Sequence, residues 1–335
     1  MIYLRRLLVG VTSLLLFVTV WILWPQELDG FIGGRDGKLS VPDYAMTNAR
    51  FVSVKDGRVE METRAKDTTY DLAERRMISR TVTARLFDAE GKATLVTADE
   101  ATFLQNDRKA LLTGHVRSES PDGFVLNGSR TEYFMDKKFL LAPAPVDGAA
   151  PDKSVKVWAN RAESYLGQRK LSLIGDARAE FREDKKGVTK IRGDRAEVDR
   201  EKEEIEFKKN VRTAQNGTTG SSNSATISYG TSEQSRKKGL RYMSLLDDVV
   251  IKEPGGRYTR SQVAEFFAPT DTVVLSGFPA VYNGEDAVTG DRITLYRNTG
   301  VVEVTQTNAA ASGIAPKGKA PPVRPLTKED EELIP

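Results

Sequence analysis

Alternation of apolar and polar residues, repeated over most of the chain, constrains the fold more than any other feature of this sequence. In the stretch KLSLIGDARAEFRED, which begins at Lys170, apolar or small residues stand at every second position from Leu171 to Phe181. A period of two is typical of a β-strand with one apolar and one polar face. Strands of this kind belong to antiparallel sheets, so the pattern predicts an all-β protein in which two sheets face one another.

A short motif accompanies the alternation and recurs about seven times, followed each time by a turn and a second alternating strand. It consists of a small, amide or acidic residue, one variable residue, and then a residue that is often alanine. The motif begins at Asp99, Ser129, Asn160, Asp194, Asn223, Gln262 and Asp291. Successive starts are 29 to 39 residues apart, which leaves room for two short strands and two turns in each unit. The repeat therefore predicts a stack of strand pairs.

Composition excludes several classes of function. The chain of 335 residues contains no cysteine and one histidine, so the sequence offers neither a thiol nucleophile nor a Cys/His metal site, and we expect no cofactor. Its 50 basic and 47 acidic residues are nearly balanced, whereas nucleic-acid binding usually requires a concentrated basic surface. We therefore expect no nucleic-acid partner.

The N-terminus carries an uncharged run from Leu7 to Trp24 that is long enough to cross a bilayer as a helix. Arg5 and Arg6 precede the run, so the N-terminus is predicted to stay in the cytoplasm and the remainder to lie outside it. We predict a cytoplasmic stub and transmembrane anchor over residues 1–25 and a linker over residues 26–40. A cleaved secretory signal is the alternative, and both interpretations export the body of the chain.

Two further boundaries follow from composition. The Pro/Ala/Gly-rich segment 142–153 is the best candidate for a seam, or alternatively a long loop, and it divides the body into predicted domains at 41–150 and 151–305. After about Thr305 the sequence becomes rich in proline and alanine and then acidic. Residues 306–335 are therefore predicted to be a disordered tail.

Two parts of the exported sequence resemble known periplasmic proteins. VSVKDGRVEMETRAK from Val52 and MISRTVTARLFDAEGKATLVTADEATF from Met77, behind an N-terminal anchor, resemble LptC, the membrane-tethered component of the lipopolysaccharide exporter. The stretch from Val273 to Val304 is similar to the end of LptA (OstA-like) domains, in its Gly-Phe-Pro at Gly277 and in Gly290, Ile293, Leu295 and Tyr296. The chain thus resembles an LptC extended by, or fused to, an LptA-like segment.

The resemblance implies more than the pattern alone. It implies an antiparallel β-jellyroll with two splayed sheets and an open groove that carries the acyl chains of lipid A, and no catalytic activity. It also implies partners: the subunits of an inner-membrane ABC transporter at an N-terminal edge near residues 44–64, and an LptA-like or outer-membrane jellyroll at a C-terminal edge near residues 288–304. The protein would then be a single-pass inner-membrane protein with its bulk in the periplasm.

The inward face of the best-patterned strands gives the candidate site. The predicted groove-lining residues are Phe103, Leu111, Tyr133, Leu140, Leu171, Leu173, Phe181, Val198, Ile205, Phe207 and Val211. The same residues would equally fill the core of an ordinary sandwich. A bulge at any of the glycines would exchange the two faces of a strand, since the side-chain period is two.

Three functions remain open from the sequence. The first is non-enzymatic transport of lipopolysaccharide from the ABC transporter toward the outer membrane. The second is a polysaccharide-processing enzyme with paired carboxylates on a repetitive β scaffold, although the acidic residues fall mainly at turns and on the outward face. The third is a membrane-tethered structural β-stack that binds no lipid.

Overall fold

The computed structural model describes residues 42–183, 187–231, 238–284 and 286–305. The described residues contain no helix, so none of them forms a membrane-spanning one. The predicted anchor and linker before residue 41 and the predicted tail after residue 305 lie outside the described residues. The described residues from Tyr44 to Thr305 belong to one compact unit.

The described residues form one sheet of 21 strands in which the described pairings are antiparallel. The strands are β1 (Tyr44–Lys55), β2 (Arg58–Asp71), β3 (Arg76–Phe87), β4 (Ala93–Leu104), β5 (Lys109–Glu119), β6 (Val125–Phe134), β7 (Phe139–Ala142), β8 (Val146–Ala149), β9 (Val155–Ala159), β10 (Arg161–Tyr165), β11 (Lys170–Glu183), β12 (Gly187–Asp199), β13 (Glu204–Gln215), β14 (Thr218–Thr231), β15 (Lys238–Lys252), β16 (Tyr258–Phe267), β17 (Thr272–Ser276), β18 (Ala280–Asn283), β19 (Asp286–Thr289), β20 (Arg292–Tyr296) and β21 (Val301–Thr305). The prediction of an all-β antiparallel fold is confirmed. The jellyroll itself stays a prediction.

Most long strands are interrupted near their middle by a β-bulge, and the bulges explain the sequence motif. In β11, Gly175 and Asp176 both have positive φ and together oppose one residue of β12, Asp194. Asp194 in turn accepts a hydrogen bond from Asn210, which lies in the next bulge. The first residue of the motif is therefore the one that faces or holds a bulge, which is why acids, amides and serine recur there.

Each bulge bends its strand, so that one half of the strand lies in one layer and the other half in a second layer. We call the first layer A; it contains Lys170–Ile174, Arg195–Asp199, Glu204–Lys208 and Ser224–Tyr229. Layer B contains Ala177–Glu183, Gly187–Arg192, Val211–Gln215 and Thr218–Ser222. The layers face each other, because the rings of Phe181 in layer B and Tyr229 in layer A lie 6.0 Å apart.

Where the bend is sharper, one long strand becomes two short ones. The C-terminal part of β6 pairs with β7, and its N-terminal part pairs with β8. Pro143 and Pro145 lie between these two short strands. Proline lacks the N–H that a continuous ladder needs, so it is suited to this break. The predicted seam at 142–153 thus contains β8, and the pairings of β8 with β6 and β9 carry the sheet across it. The predicted division at residue 150 stays a prediction.

Candidate functional site

The apolar space between the layers contains most of the residues predicted to line a groove. Nine of the eleven are buried: Tyr133, Leu140, Leu171, Leu173, Phe181, Val198, Ile205, Phe207 and Val211. They belong to two hydrophobic clusters. Tyr133 and Leu140 lie in a smaller cluster built from residues 61–140, and the other seven lie in a larger one built from residues 124–295. Phe103 is partly buried and packs against the smaller cluster.

Leu111 differs from the prediction. It is half-buried between Ala110 and Leu112, which are both buried in the smaller cluster, so its side chain leaves the opposite face of β5. Two adjacent leucines fit either face of an alternating strand, and the sequence pattern could not choose between them. The inward residue is Leu112.

The closed state of this space also differs from the expected open groove. Leu173, Phe181, Ile205, Phe207 and Val211 are 0% exposed, so the chain's own side chains cover them. The physical reason is that two facing apolar layers lower their free energy in water by packing on each other. Any larger occupant of this space requires the two layers to separate.

Where the layers end, away from the bends, lies an opening that we call the mouth, and two cavities there contact both layers. The first has a volume of about 100 Å³ and is lined by Phe124, Leu140, Leu171 and Arg200, among others. The second, of about 50 Å³, is lined by Leu245, Phe266, Leu295 and Arg297, among others. Each cavity touches both layers and has an arginine at its rim.

Arg200 joins the two layers across the first cavity. It follows the last residue of layer A in β12, and its Nη1 donates to Oδ1 of Asp122, in the turn that ends layer B, at 2.8 Å. Its guanidinium carbon lies 5.5 Å from the centre of the Phe124 ring. The Arg200 side chain is 11% exposed, and this burial lowers the pKa of Arg200. An ion pair that joins the two layers, with its arginine largely buried beside a ring, opposes their separation.

Arg297 makes the corresponding connection at the second cavity. Its Nη1 donates to Oε1 of Gln215 at 3.3 Å and lies 3.5 Å from Oδ1 of Asp271. The guanidinium carbon is 5.5 Å from the centre of the Phe266 ring. Gln215 ends β13 in layer B. Arg297 directly follows β20, which continues the ladder of layer A through β15, β16 and β17. We call the two arginines with these partners the mouth clamps.

The two clamps occupy the same position of the repeat, six residues after its first residue. In all seven units the residue at this position donates its backbone N–H to a carbonyl oxygen 26 to 31 residues earlier in the chain, over 2.8 to 3.1 Å. These residues are Gln105, Met135, Leu166, Arg200, Tyr229, Ala268 and Arg297. The alternation pattern did not single out this position. Counting six residues from the start of each motif would have identified it.

Two tyrosines in the core carry perturbed hydroxyl groups. Burial raises the pKa of Tyr133 to about 12 and that of Tyr229 to about 12, because a phenolate is poorly solvated in an apolar surrounding. Tyr229 belongs to the mouth position of the repeat, and its ring packs against Phe181 in the opposite layer. Both groups therefore remain neutral at physiological pH.

The two predicted edges are exposed strands. Among the described strands, β1 is paired on one side by β2, and β21 is paired on one side by β20. Every residue of β21 is exposed, and most of β1 is exposed as well. Each edge presents unpaired backbone N–H and C=O groups that could accept a further strand.

Comparison with known protein families matches two parts of the chain. The family described as "Lipopolysaccharide-assembly, LptC-related" matches residues 12–181, just over half of the chain. The family described as "LptA/(LptD N-terminal domain) LPS transport protein" matches residues 190–301. A search of curated proteins returns no significant match.

One similar solved structure is that of LptH from Pseudomonas aeruginosa, described as the LptA homologous periplasmic component of the conserved lipopolysaccharide transport device. The two chains are 14% identical with a TM-score of 0.32. The similarity covers 38% of the present chain and 88% of LptH.

Proposed function

Because the chain belongs to the LptC-related family of lipopolysaccharide-assembly proteins and continues into an LptA-like domain, we propose that it carries lipopolysaccharide in the space between its two layers. Transport of lipopolysaccharide across the periplasm is the function of these families, and they are not enzymes. The alternative of a polysaccharide-processing enzyme is therefore excluded.

The observation that carries the proposal is the pair of layers held together at the mouth by Arg200 and Arg297. Acyl chains enter when the layers separate. The contacts of Leu171 or Phe207 with the opposite layer are then replaced by contacts with the acyl chains. Since a buried methylene contributes roughly 0.8 kcal/mol, about ten methylenes contribute roughly 8 kcal/mol. That gain counts against the loss of the clamps and of the packing between layers.

The ends of the protein provide its connections. In the proposed route the anchor at residues 7–24 holds the chain in the inner membrane, and the edge at β1 receives lipid from the periplasmic part of an ABC transporter. The edge at β21 extends by strand pairing into the next jellyroll on the way to the outer membrane. The lipid-contacting residues are the inward set of the two clusters, with Leu112 in place of Leu111.

Site-specific photo-crosslinking in cells tests the proposal. A photoreactive residue at Leu171, which lines the first cavity, and another at Phe207, in the covered core, should both form adducts with lipopolysaccharide. Lys208, the exposed neighbour of Phe207, is the matched control and should form none. Adducts at Leu171 alone would limit the lipid to the mouth. Absence of adducts at both inward positions would sink the proposal.

A membrane-tethered β-stack without lipid remains the second candidate, and the complete burial of Phe207 favours it. The two candidates differ in one respect. A stack would keep its layers packed, so hydrogen exchange of the backbone at the mouth would not change when lipopolysaccharide is added. A carrier would show faster exchange there on loading.

A further inference from the structure

A cleft on the outside of layer B, away from the space between the layers, has an unusual set of side chains. Its volume is about 430 Å³, and its lining includes Trp158, Arg178, Lys190, Arg192 and Arg212. Trp158 is the one tryptophan among the described residues and is only partly buried. It alternates with buried Val157 and Ala159, so its ring faces outward.

The register places an aromatic ring and three arginines side by side on four neighbouring strands. Trp158 of β9 is directly opposite Arg178 of β11, Arg178 is opposite Arg192 of β12, and Arg192 is opposite Arg212 of β13. Residues opposite one another have Cβ atoms about 4.5–5.5 Å apart, and like charges in that arrangement are destabilising. Folding alone therefore does not favour this row.

Two acidic side chains lie among these cations. Asp176, brought to this face by the bulge in β11, lies 2.5 Å from Nε of Arg192 and accepts a hydrogen bond from Nε of Arg178 at 3.0 Å. Glu180 lies 3.8 Å from Nζ of Lys190. The cleft thus has four cationic side chains and two anionic ones in its lining. The lining therefore holds more cationic than anionic side chains, beside a partly buried indole.

The row continues on the other side of Trp158 with groups that bind hydroxyls. Asp147 of β8 is opposite Trp158, and Asn127 of β6 is opposite Asp147 and donates to it at 2.8 Å. Six strands therefore contribute to one row from Asn127 to Arg212. At about 4.8 Å between strands, the row is roughly 24 Å long.

We propose that this row is a binding site for an anionic saccharide that lies across the strands, with a sugar ring against Trp158 and its phosphate or carboxylate groups on Arg178, Arg192 and Arg212. An indole gives a flat apolar surface to a sugar face, and guanidinium groups bind phosphate and carboxylate in a bidentate manner. Asp147 and Asn127 supply acceptors and donors for hydroxyl groups. The site does not use the space between the layers, so it stands or falls independently of the lipid route.

Two natural sources carry this chemistry: the phosphorylated oligosaccharide of lipopolysaccharide, and the carboxylate-bearing glycan strands of the cell wall. Binding of each to the full-length chain in detergent is measured by isothermal titration calorimetry, with delipidated core oligosaccharide in one arm and soluble glycan strands in the other. A neutral dextran oligosaccharide serves as the reference ligand. We expect at least one anionic saccharide to bind at least tenfold more tightly than dextran, and more weakly at high salt.

Two variants and a matched control decide whether the cleft is the site. Arg192→Gln and Trp158→Ala should each weaken binding at least tenfold while the circular dichroism spectrum stays unchanged. Arg195→Gln is the control, since Arg195 lies on the same strand but is exposed and paired with Glu197. Equal binding by wild type, Arg192→Gln and Trp158→Ala would overturn the proposal. So would failure of both anionic saccharides to bind better than dextran.

Discussion

The Arg200 clamp provides the sharpest test of how the layers are held. In Arg200→Met the aliphatic stem still covers Phe124, but the charge and the hydrogen bond to Asp122 are lost. Removing one partner of a fully buried pair costs about 3–5 kcal/mol, whereas an exposed pair contributes about 0.2–1 kcal/mol. The Asp122 side chain is 28% exposed and that of Arg200 is 11% exposed. We therefore expect the free energy of unfolding to fall by about 2 kcal/mol.

The same change should increase lipid binding. If the pair exists only when the layers are closed, its loss lowers the free energy of opening by the same amount. About 2 kcal/mol corresponds to a roughly thirty-fold larger open fraction, and hence up to that factor in apparent affinity while the open state is rare. A variant that is less stable yet binds its ligand more tightly is an uncommon combination, which makes the outcome informative.

Two measurements check the reasoning. Urea denaturation followed by circular dichroism gives the loss of stability, and the yield of lipopolysaccharide adducts from a photoreactive residue at Leu171 gives the gain in loading. Arg195→Met, at an exposed pair on the same strand, is the control and should change stability by no more than about 0.5 kcal/mol. A variant that loses about 2 kcal/mol of stability but gives no more adduct than wild type would refute the clamp.

Three other predictions concern the core, the bulges and pH. Phe207→Ala removes a fully buried ring and should cost about 3–5 kcal/mol in urea denaturation, against less than about 0.5 kcal/mol for exposed Lys208→Ala; equal effects would contradict the face assignment. Gly175→Ala places a Cβ at φ +75° and 3.2 Å from Asn160, so we expect roughly 1–2 kcal/mol of lost stability, and an unchanged midpoint would show that the bulge relaxes. The pKa of Tyr229 rises from 10.0 to about 12 on folding. Its contribution to the free energy of unfolding is therefore complete below pH 10 and is lost as the pH rises toward 12, by at most roughly 2.7 kcal/mol. Tyr229→Phe should flatten the measured dependence of the free energy of unfolding on pH in that window.

Alternation was sufficient to assign the faces of most strands because it is repeated within each strand. Leu171, Leu173 and Phe181 keep one parity through the bulge at Gly175 and Asp176, so this bulge does not exchange the faces of β11, contrary to the expectation for a bulge at a glycine. In β12 the inward positions change parity between Ile191 and Ala196. Alternation followed from one end of β12 would therefore assign the wrong face to the other half of the strand. Val198, in the half after the change, is the one residue of β12 that was predicted to face inward.

What the sequence could not reveal is which surface covers an apolar face. The period of two identifies Phe207 as inward, but it is silent on whether lipid, solvent or a second layer lies opposite. The bends decide this, and they depend on residues such as Asp176 and Asn210 adopting positive φ, which sequence propensity predicts poorly. The contact between Arg200 and Asp122 joins residues 78 positions apart, a separation that no local pattern reports.

The bends have a mechanical consequence. Because each long strand passes from one layer into the other, the layers are continuous through their strands, and the ladder hydrogen bonds run between strands within a layer rather than across the space. Parting the layers at one point then needs rotation about a few backbone angles at the bulge and release of the nearest clamp, while the ladders on both sides persist. The layers can therefore separate locally, one bulge after another along the sheet. A large ligand would then move along the space between the layers inside a short open region, while the layers ahead of it and behind it stay packed.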